Sequence, residues 1–542
     1  MPVITPEILA AAESLLGITY TPAERTQMLD NFLPQIEAAL RRRATTIPFP
    51  VGPATRFDPR LPSYIAPEMK PFDFTPEIAP LPAADEDIAF APTHVQSGWI
   101  KSKQLTSERL TKIYLDRITR HNPTLNAFAT VTAGSAITRA AELDGLTGQN
   151  ISLGPVHGIP YGLKDVFDTA GVTTGWGAEP YQHRIPAEDS FVAKTLHEAG
   201  CVLLGKTAVG ALAYGDLWYG GRTKNPYNPA EGSSGSSAGS AAATAAALVS
   251  FAIGTETLGS IISPATRCGA VGLRPTYGRI SRTGAMPLCW SLDKIGPICR
   301  AAADTALILH ALNTPDAADP FQIFAPFGGA APVKTLRLGY FPADFAAGDT
   351  TQLERDALET ARSLGLQIIP LARQNLPYDS LMALLFAEAA AAFEDLTLSG
   401  QDDLLTWQDA DAWPNSFRKS RFLSAVDHVQ ADRLRRLVML EMDEIFRQVD
   451  LIIGPSLAGP MLTITNFTGH PSLCLPAGYV SSPTRPPVSL ARHTAPRDQA
   501  AATFEIPHAI ALYAPLHAEA ALIAFAEALE PILPPKRRPA LP

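Results

Sequence analysis

Residues 231–276 read EGSSGSSAGSAAATAAALVSFAIGTETLGSIISPATRCGAVGLRPT. Two clusters of glycine and serine, Gly232–Ser240 and Gly254–Ser260, flank an alanine-rich run. Alanine is the best helix former, so the run predicts a helix. The apolar residues Leu248–Ile253 predict a buried strand that leads into the second cluster. Glycines then sit at turns where backbone amides can come close to a ligand. Serines sit where rigid flanks could present hydroxyls. A flexible Gly/Ser linker is the compositional alternative. Linkers stay polar, however, and this stretch runs into apolar sequence on both sides. A membrane span over Ser237–Gly254 is disfavoured, because the segment is mostly Ala with Ser and Thr and lacks a Leu/Ile-rich run of about 20 residues.

The chain around it has 542 residues, 46% hydrophobic and 18% charged, with a formal net charge of −9. That composition is ordinary for a globular protein. Basic residues cluster only at Arg41–Arg43 and Lys536–Arg538, so nucleic acid is not expected as the primary ligand. The five cysteines, Cys201, Cys268, Cys289, Cys299 and Cys474, are odd in number, widely spaced and free of any CxxC. This argues against a disulfide framework and a zinc site, and predicts buried free thiols. No basic segment followed by an apolar core opens the chain, so no signal peptide is expected. The expectation is a cytoplasmic protein with no membrane association, no metal and no organic cofactor.

Working outward, residues 5–43 predict two helices. Thr5-Pro6-Glu7 starts the first and Gly17 ends it. Thr21-Pro22-Ala23-Glu24 is a capping box for the second, in which Pro34 should introduce a kink. Prolines cluster near 46–82, and this stretch reads as an extended strap. The expected organisation is a helical extension over 1–48, a Pro-rich strap over 49–87 and one large domain over 88–542. In that domain, helices are predicted over Thr106–Arg120, Ser135–Leu143 (with Ser135 as N-cap), Gln352–Leu364 and Asp432–Val449. Strands are predicted over Gly200–Gly205, Leu336–Gly339, Leu366–Leu371 and Leu451–Gly454. Alternation of this kind argues for an α/β fold around a mixed, largely buried sheet. Trp407, Trp413, Phe417 and Phe422 are read as packing a surface subdomain rather than lining a cleft.

Amide hydrolysis needs a nucleophile, a base, donors for the oxyanion and an acid for the leaving amine. Ser260 follows Gly259 at an expected strand exit, where the amides of Thr257, Leu258, Gly259 and Ser260 could form an oxyanion hole. No GxSxG elbow and no nearby His marks a base. Lys164 lies in an apolar stretch, Ile159–Phe167. Burial would lower its pKa and free it to accept a proton. Taken alone, a lysine is more often a solvated surface charge.

Four ordered motifs carry a resemblance: GIPYGLKD at 158–165, GSSAGSAA at 235–242, GTETLGSIISPA at 254–265 and CGAVGLRPT at 268–276. Together the chain resembles the amidase signature family. The likeness spans about 88–312, resumes at Asp450–Tyr479 and ends over His508–Leu529. It implies the family's mixed twisted sheet flanked by helices, and a Ser–cisSer–Lys triad. Ser260 would be the acylated nucleophile, Ser236 the bridging serine on a cis peptide after Gly235, and Lys164 the base. Ser237 and Thr257 would support the network, and His157 would be structural. Departures from the family pattern are Glu256 in place of the usual Asp and Leu258 in place of a Gly. Ile262 and Ser263 stand where many members carry an Arg, which points to a neutral substrate.

Residues 5–62 also resemble the small helical C-type subunit of amidotransferases, fused here in cis. The resemblance implies an amidohydrolase for a small linear amide, with ester and carbamate (urethane) cleavage open to the same acyl-enzyme. A glutamine-dependent amidotransferase A-type subunit needing a partner protein is the alternative, and a scaffold without activity is disfavoured by the retained Lys164, Ser236 and Ser260. A homodimer is compatible with the sequence, which does not read out an oligomeric state. Specificity would lie in loops near 373–430 and 480–505.

Overall fold

The computed structural model of the protein describes residues 4–485 and 503–541, apart from residues 46, 50, 69, 77, 330 and 331. Most of the 480–505 loop therefore lies outside the described residues. Eleven strands form one sheet. They are Phe128–Val131 (β1), Pro160–Lys164 (β2), Val202–Thr207 (β3), Phe251–Glu256 (β4), Val271–Arg274 (β5) and Lys294–Cys299 (β6). Arg337–Tyr340 (β7), Gln367–Pro370 (β8), Leu451–Pro455 (β9), Ser472–Pro483 (β10) and Thr503–Tyr513 (β11) complete it. The spatial order is β1-β3-β2-β4-β6-β5-β10-β11-β9-β7-β8. β3, β2 and β4 run parallel, as do β9, β7 and β8. The remaining neighbours are antiparallel. The sheet is therefore mixed, as expected. Every residue of β2, β5, β6 and β9 is buried, which is what covering both faces of a sheet requires and why these segments read as apolar runs.

Two parallel neighbours position the site. β2 and β4 pair with Tyr161 opposite Phe251 and Leu163 opposite Ile253. Lys164 and Thr255 thus emerge together at the carboxyl ends of adjacent strands, where ligands bind in sheets of this kind. The expected strand over Leu248–Ile253 is displaced: the observed strand is Phe251–Glu256. Leu248 instead closes the alanine-rich helix, its amide bonding the Ala243 carbonyl at 2.8 Å beyond Ala247 at φ 50°. Pairing with Tyr161 and with Lys294–Ile298 fixes where the strand starts and carries it on to Glu256.

The amino-terminal helices are Pro6–Leu16 (α1), capped by Thr5, and Pro22–Arg43 (α2), which opens on the Thr21/Glu24 capping box and continues past Pro34. Glu13 and Arg25 tie them together at 2.6 Å. The described residues from 44 to 84 hold no helix; they make one β-bridge, Lys70–Gly329, and reach the rest through side chains such as Arg56, which donates to the Pro320 carbonyl, and Tyr64, which bonds His517. A third helix, Ser107–Leu125 (α3), starts at the Thr106 cap and runs beyond the predicted end through Pro123. Its buried Arg117 donates to the carbonyls of Ala246 and Ala247 at 2.9 and 2.8 Å, holding the end of the alanine-rich helix. Ser135 is not an N-cap. The helix there begins at Ala133, and the Ser135 hydroxyl donates to the Thr132 carbonyl.

The other predicted strands and helices are present with shifted ends: Val202–Thr207, Arg337–Tyr340, Gln367–Pro370 and Leu451–Pro455, with helices at Gln352–Arg362 and Ala425–Gln448. Trp413 and Phe417 pack as expected, buried and stacked at 4.9 Å, and Trp407 leans on Tyr214. Phe422 does not pack; it is 63% exposed. All five cysteines are free and buried.

A fully buried ion pair joins the segment after β5 to the carboxy-terminal helix Glu519–Leu529. Arg279 donates to Glu519 at 2.9 Å, and Glu519 also accepts the Thr276 amide at 2.8 Å. Removing one member strands the other charge away from water. Arg279→Met is expected to destabilise the fold by about 3–5 kcal/mol, read as a lower thermal midpoint than wild type. An unchanged midpoint would show that this pair contributes nothing.

Candidate active site

Lys164 ends β2 and is fully buried. Its Nζ has four oxygen neighbours: Ser236 Oγ at 2.9 Å, Ser237 Oγ at 3.0 Å, Thr255 Oγ1 at 2.7 Å and the Thr255 carbonyl at 3.3 Å. None of these is a carboxylate. Burial is the main influence on the amine and lowers its pKa to about 7, against weaker opposition from Asp293 and Glu256. Hydrogen counting then assigns the roles. The Ser237 hydroxyl donates to the Thr255 carbonyl at 3.1 Å, and its oxygen accepts the Thr255 amide at 3.2 Å. Ser237 must therefore accept from Lys164. A neutral amine has two hydrogens and one lone pair. With Ser237 and the Thr255 carbonyl taking those hydrogens, the lone pair of a neutral amine would face the two remaining hydroxyls, those of Ser236 and Thr255.

Ser236 follows a cis peptide bond from Gly235. A Cβ on Gly235 would lie 1.8 Å from the Gly215 carbonyl oxygen, so the close approach of these two segments admits only glycine. Ser234, at φ 68°, is held by its amide to Asp216 at 3.0 Å and by its hydroxyl to Ser263 at 2.8 Å. Past Ser236 the chain enters helix α4, Ala238–Ala245, whose residues are all buried. Small side chains let it lie close to its neighbours: a Cβ on Gly239 would meet the Ala127 carbonyl at 2.1 Å.

Ser260 follows Gly259, at φ 82°, in the turn after β4. It is 9% exposed. Its carbonyl accepts the Ser237 amide at 3.1 Å, so the two serine segments are joined directly. The loop's shape depends on Glu256. One carboxylate oxygen accepts the amides of Ile261 and Ile262 at 2.8 and 2.9 Å, at the start of helix α5, Ile262–Cys268. The other accepts from Arg274 at 2.8 Å and Asn466 at 2.9 Å. Burial opposes the charge, yet the Arg274 guanidinium and these donors hold the carboxyl below its usual pKa. The amides of Ile261 and Ile262 are thereby engaged within the loop itself. The Thr257 hydroxyl turns away from Lys164 and donates to Asp293 at 2.6 Å. Asp293 in turn accepts the amides of Leu288 and Cys289.

The fold thus brings Lys164, Ser236, Ser237 and Ser260 to one place, with Gly235 at the turn between strand and helix. His157 is elsewhere, bonded to Thr147 and to the Leu143 carbonyl. Ile262 is buried and Ser263 bonds Ser234, so neither of the two positions offers a cation. Thr255 and Asp293 were not singled out from sequence, though both touch this network. Thr255 had a usable signal: it lies next to Glu256 at the carboxyl end of an apolar run. A cleft of about 300 Å³ opens beside the site, with Thr255 and Thr257 in its wall. No helix among the described residues is long and apolar enough to cross a membrane.

A family model described as Amidase matches residues 109–522, and the chain belongs to that family, the amidase signature enzymes. A curated relative, the A subunit of glutamyl-tRNA(Gln) amidotransferase from Geobacter metallireducens, is 31% identical over 411 residues, 69% of this chain and 83% of the relative. The peptide amidase of Stenotrophomonas maltophilia superposes with a TM-score of 0.69 at 27% identity, over 83% of this chain and 98% of that one. An amidase family protein of Bacillus anthracis shares the fold, with a TM-score of 0.71 at 23% identity, over 84% of this chain and 94% of that one. Members of the family act on C–N amide bonds, and this chain is such an enzyme.

Glu256→Gln is expected to leave Arg274 buried without its counter-charge and to cost about 3–5 kcal/mol. Thermal unfolding and amide hydrogen exchange at Ile261 and Ile262 would measure it. Wild-type protection at both amides would contradict the bracing role given to this carboxylate.

Proposed function

We propose that the protein is a serine amidohydrolase that cleaves a small, neutral, linear amide through an acyl-enzyme on Ser260. The observation that supports this most directly is the contact of a neutral-leaning Lys164 amine with Ser236 at 2.9 Å, beside the serine loop joined to it by the Ser237–Ser260 bond. Ser260 Oγ attacks the carbonyl carbon of the amide. Its proton passes to Ser236, while the Ser236 proton passes to Lys164. The oxyanion that forms is held by amides of Thr257–Ser260. As the C–N bond breaks, the relay returns a proton to the leaving nitrogen, and the amine departs. Water then attacks the Ser260 ester, giving a proton to the relay, and releases the carboxylic acid. The same steps apply to esters and carbamates with a different leaving atom. The five free thiols suit a reducing, cytoplasmic setting.

A second reading is favoured by the 31% identical amidotransferase subunit of Geobacter metallireducens: ammonia freed from glutamine could be handed to a partner protein. Hydrolysis by the isolated chain separates the two readings. Activity on simple amides without any added protein supports the hydrolase, and activity confined to glutamine with a partner supports the alternative.

The proton relay requires Lys164 to start neutral. Because its pKa is lowered to about 7, the cation that forms at lower pH cannot accept the Ser236 proton. The rate is expected to rise from about pH 6 and level off near about pH 8. Lys164→Ala and Ser236→Ala should each slow turnover by about 10²–10⁴-fold, and Ser260→Ala should abolish fluorophosphonate labelling. A panel of an amide, an ester and a carbamate with these variants tests the mechanism. Full turnover by Ser260→Ala, or a flat pH profile, would reject it.

A further inference from the structure

Residues 44–84 lie outside the region matched by the family model, yet they reach the cleft whose wall holds Thr255 and Thr257. Phe49 is half-buried there. Its ring stacks on Trp176 with centroids 5.0 Å apart and planes at 24°, and it also meets Phe393 at 5.6 Å. Both Phe49 and Trp176 line the cleft. Trp176 is not a passive neighbour. Its amide donates to the carbonyl of Asp165 at 3.1 Å, the residue after Lys164, and Arg184 covers its ring at 4.4 Å. Three residues further on, the same segment presses against the opposite aromatic wall. A Cβ on Gly52 would lie 2.6 Å from the Phe321 ring and 3.1 Å from that of Trp290, so the chain can pass this close only as glycine.

The approach is anchored from behind. Arg42, at the end of α2, donates to Glu394 at 2.7 Å, and Arg421 donates to the same carboxylate at 3.0 Å. The charges that face the cleft are already engaged. Asp168 is paired with Arg184 at 2.7 Å, Asp319 accepts the amides of Arg282 and Phe321, and Asp293 takes the Thr257 hydroxyl. Arg282 donates to the Trp290 carbonyl and lies over the Phe321 ring at 4.9 Å, and Lys294 donates to the Leu292 carbonyl. What the wall offers a ligand is ring surface. At about 300 Å³ the cleft lies at the small end of ligand pockets, enough for a compact group.

We propose that the amino-terminal segment completes the substrate cleft, with the half-buried Phe49, seated on the buried Trp176, forming the surface against which a flat, apolar group of a neutral amide packs, so that residue 49 sets which amides are accepted. The proposal rests on the hydrolase reading above. It makes the extension a part of the specificity site, although Phe49 takes no part in the proton relay. A ring packed on a ring in an offset or edge arrangement gains more than the area it buries, and a small alkyl group also buries less area, so the segment should favour aryl over small alkyl groups.

The test compares two reagents that an activated serine attacks at sulfur, phenylmethanesulfonyl fluoride and methanesulfonyl fluoride, together with hydrolysis of phenylacetamide and acetamide. The readout is the ratio of aryl to alkyl rates in wild type, Phe49→Ala and Phe49→Leu. Loss of the ring is expected to lower the ratio by about tenfold in Phe49→Ala and by less in Phe49→Leu. A merely structural Phe49 would slow both reagents together and leave the ratio unchanged, which would overturn the proposal. Phe49→Leu keeps an apolar side chain in the strap should Phe49→Ala not fold. If wild type is neither labelled at Ser260 nor hydrolyses any amide, the hydrolase reading fails and the proposal falls with it. Labelling with an unchanged ratio rejects the proposal alone.

Discussion

An amine enclosed by hydroxyls, without a carboxylate to hold its charge, is the constraint on which this site depends. The sheet contains a direct comparison. Lys206, on the strand beside β2, is as deeply buried as Lys164. It has Asp165 at 3.7 Å, whose charge opposes the lowering by burial. Lys164 has Ser236, Ser237 and Thr255 instead and falls to about 7. Two residues adjacent in sequence, Lys164 at the end of β2 and Asp165 in the turn that follows it, are directed to different partners. One faces the serines and the other anchors the neighbouring lysine. An acid placed in contact with Lys164 would favour its cationic form.

Holding that amine in place requires rigidity on every side, and the fold supplies it by close approach rather than by bulk. Gly235 against Gly215, Gly239 against Ala127, and Gly254 against Ser237 are contacts in which a side chain would collide. The alanine-rich helix is short and carries no side chain larger than Thr, and its end is pinned by Arg117. The glycine and serine that suggest a flexible linker by composition are here the means of bringing backbone segments within hydrogen-bonding distance. Flexibility in the unfolded chain and tight packing in the folded one follow from the same absent side chains.

Much of this was legible in local sequence. The apolar run Ile159–Phe167 made burial of Lys164 readable, although a lysine taken alone reads as a surface charge; Gly259 marks the turn that carries Ser260, whereas Gly254, expected at a turn, lies within the strand. The family motifs supplied the association of Lys164, Ser236 and Ser260, which spacing alone does not give. What local sequence concealed was long-range partnership. Nothing near Glu256 announces Arg274 or Asn466, and nothing near Thr257 announces Asp293. The strand at 251–256 was misplaced because apolar Leu248 and Val249 suit a helix end as well as a strand, and only pairing with Tyr161 decides between them. Phe49 was hidden in a proline-rich strap, where periodicity carries no information about which ring will find a partner.

The partners of Glu256 also set an order of events. Asn466 lies 210 residues beyond it, and Arg274 is itself braced by Thr465 and the carbonyl of His470. As the chain leaves the ribosome, the serine loop is made long before the groups that fix its shape. Its bracing is complete only once the chain has grown past Asn466 and His470. A nascent or truncated chain thus carries the serines and the lysine but lacks the frame that sets them against one another. The reactive site is, in effect, one of the last features of the molecule to mature.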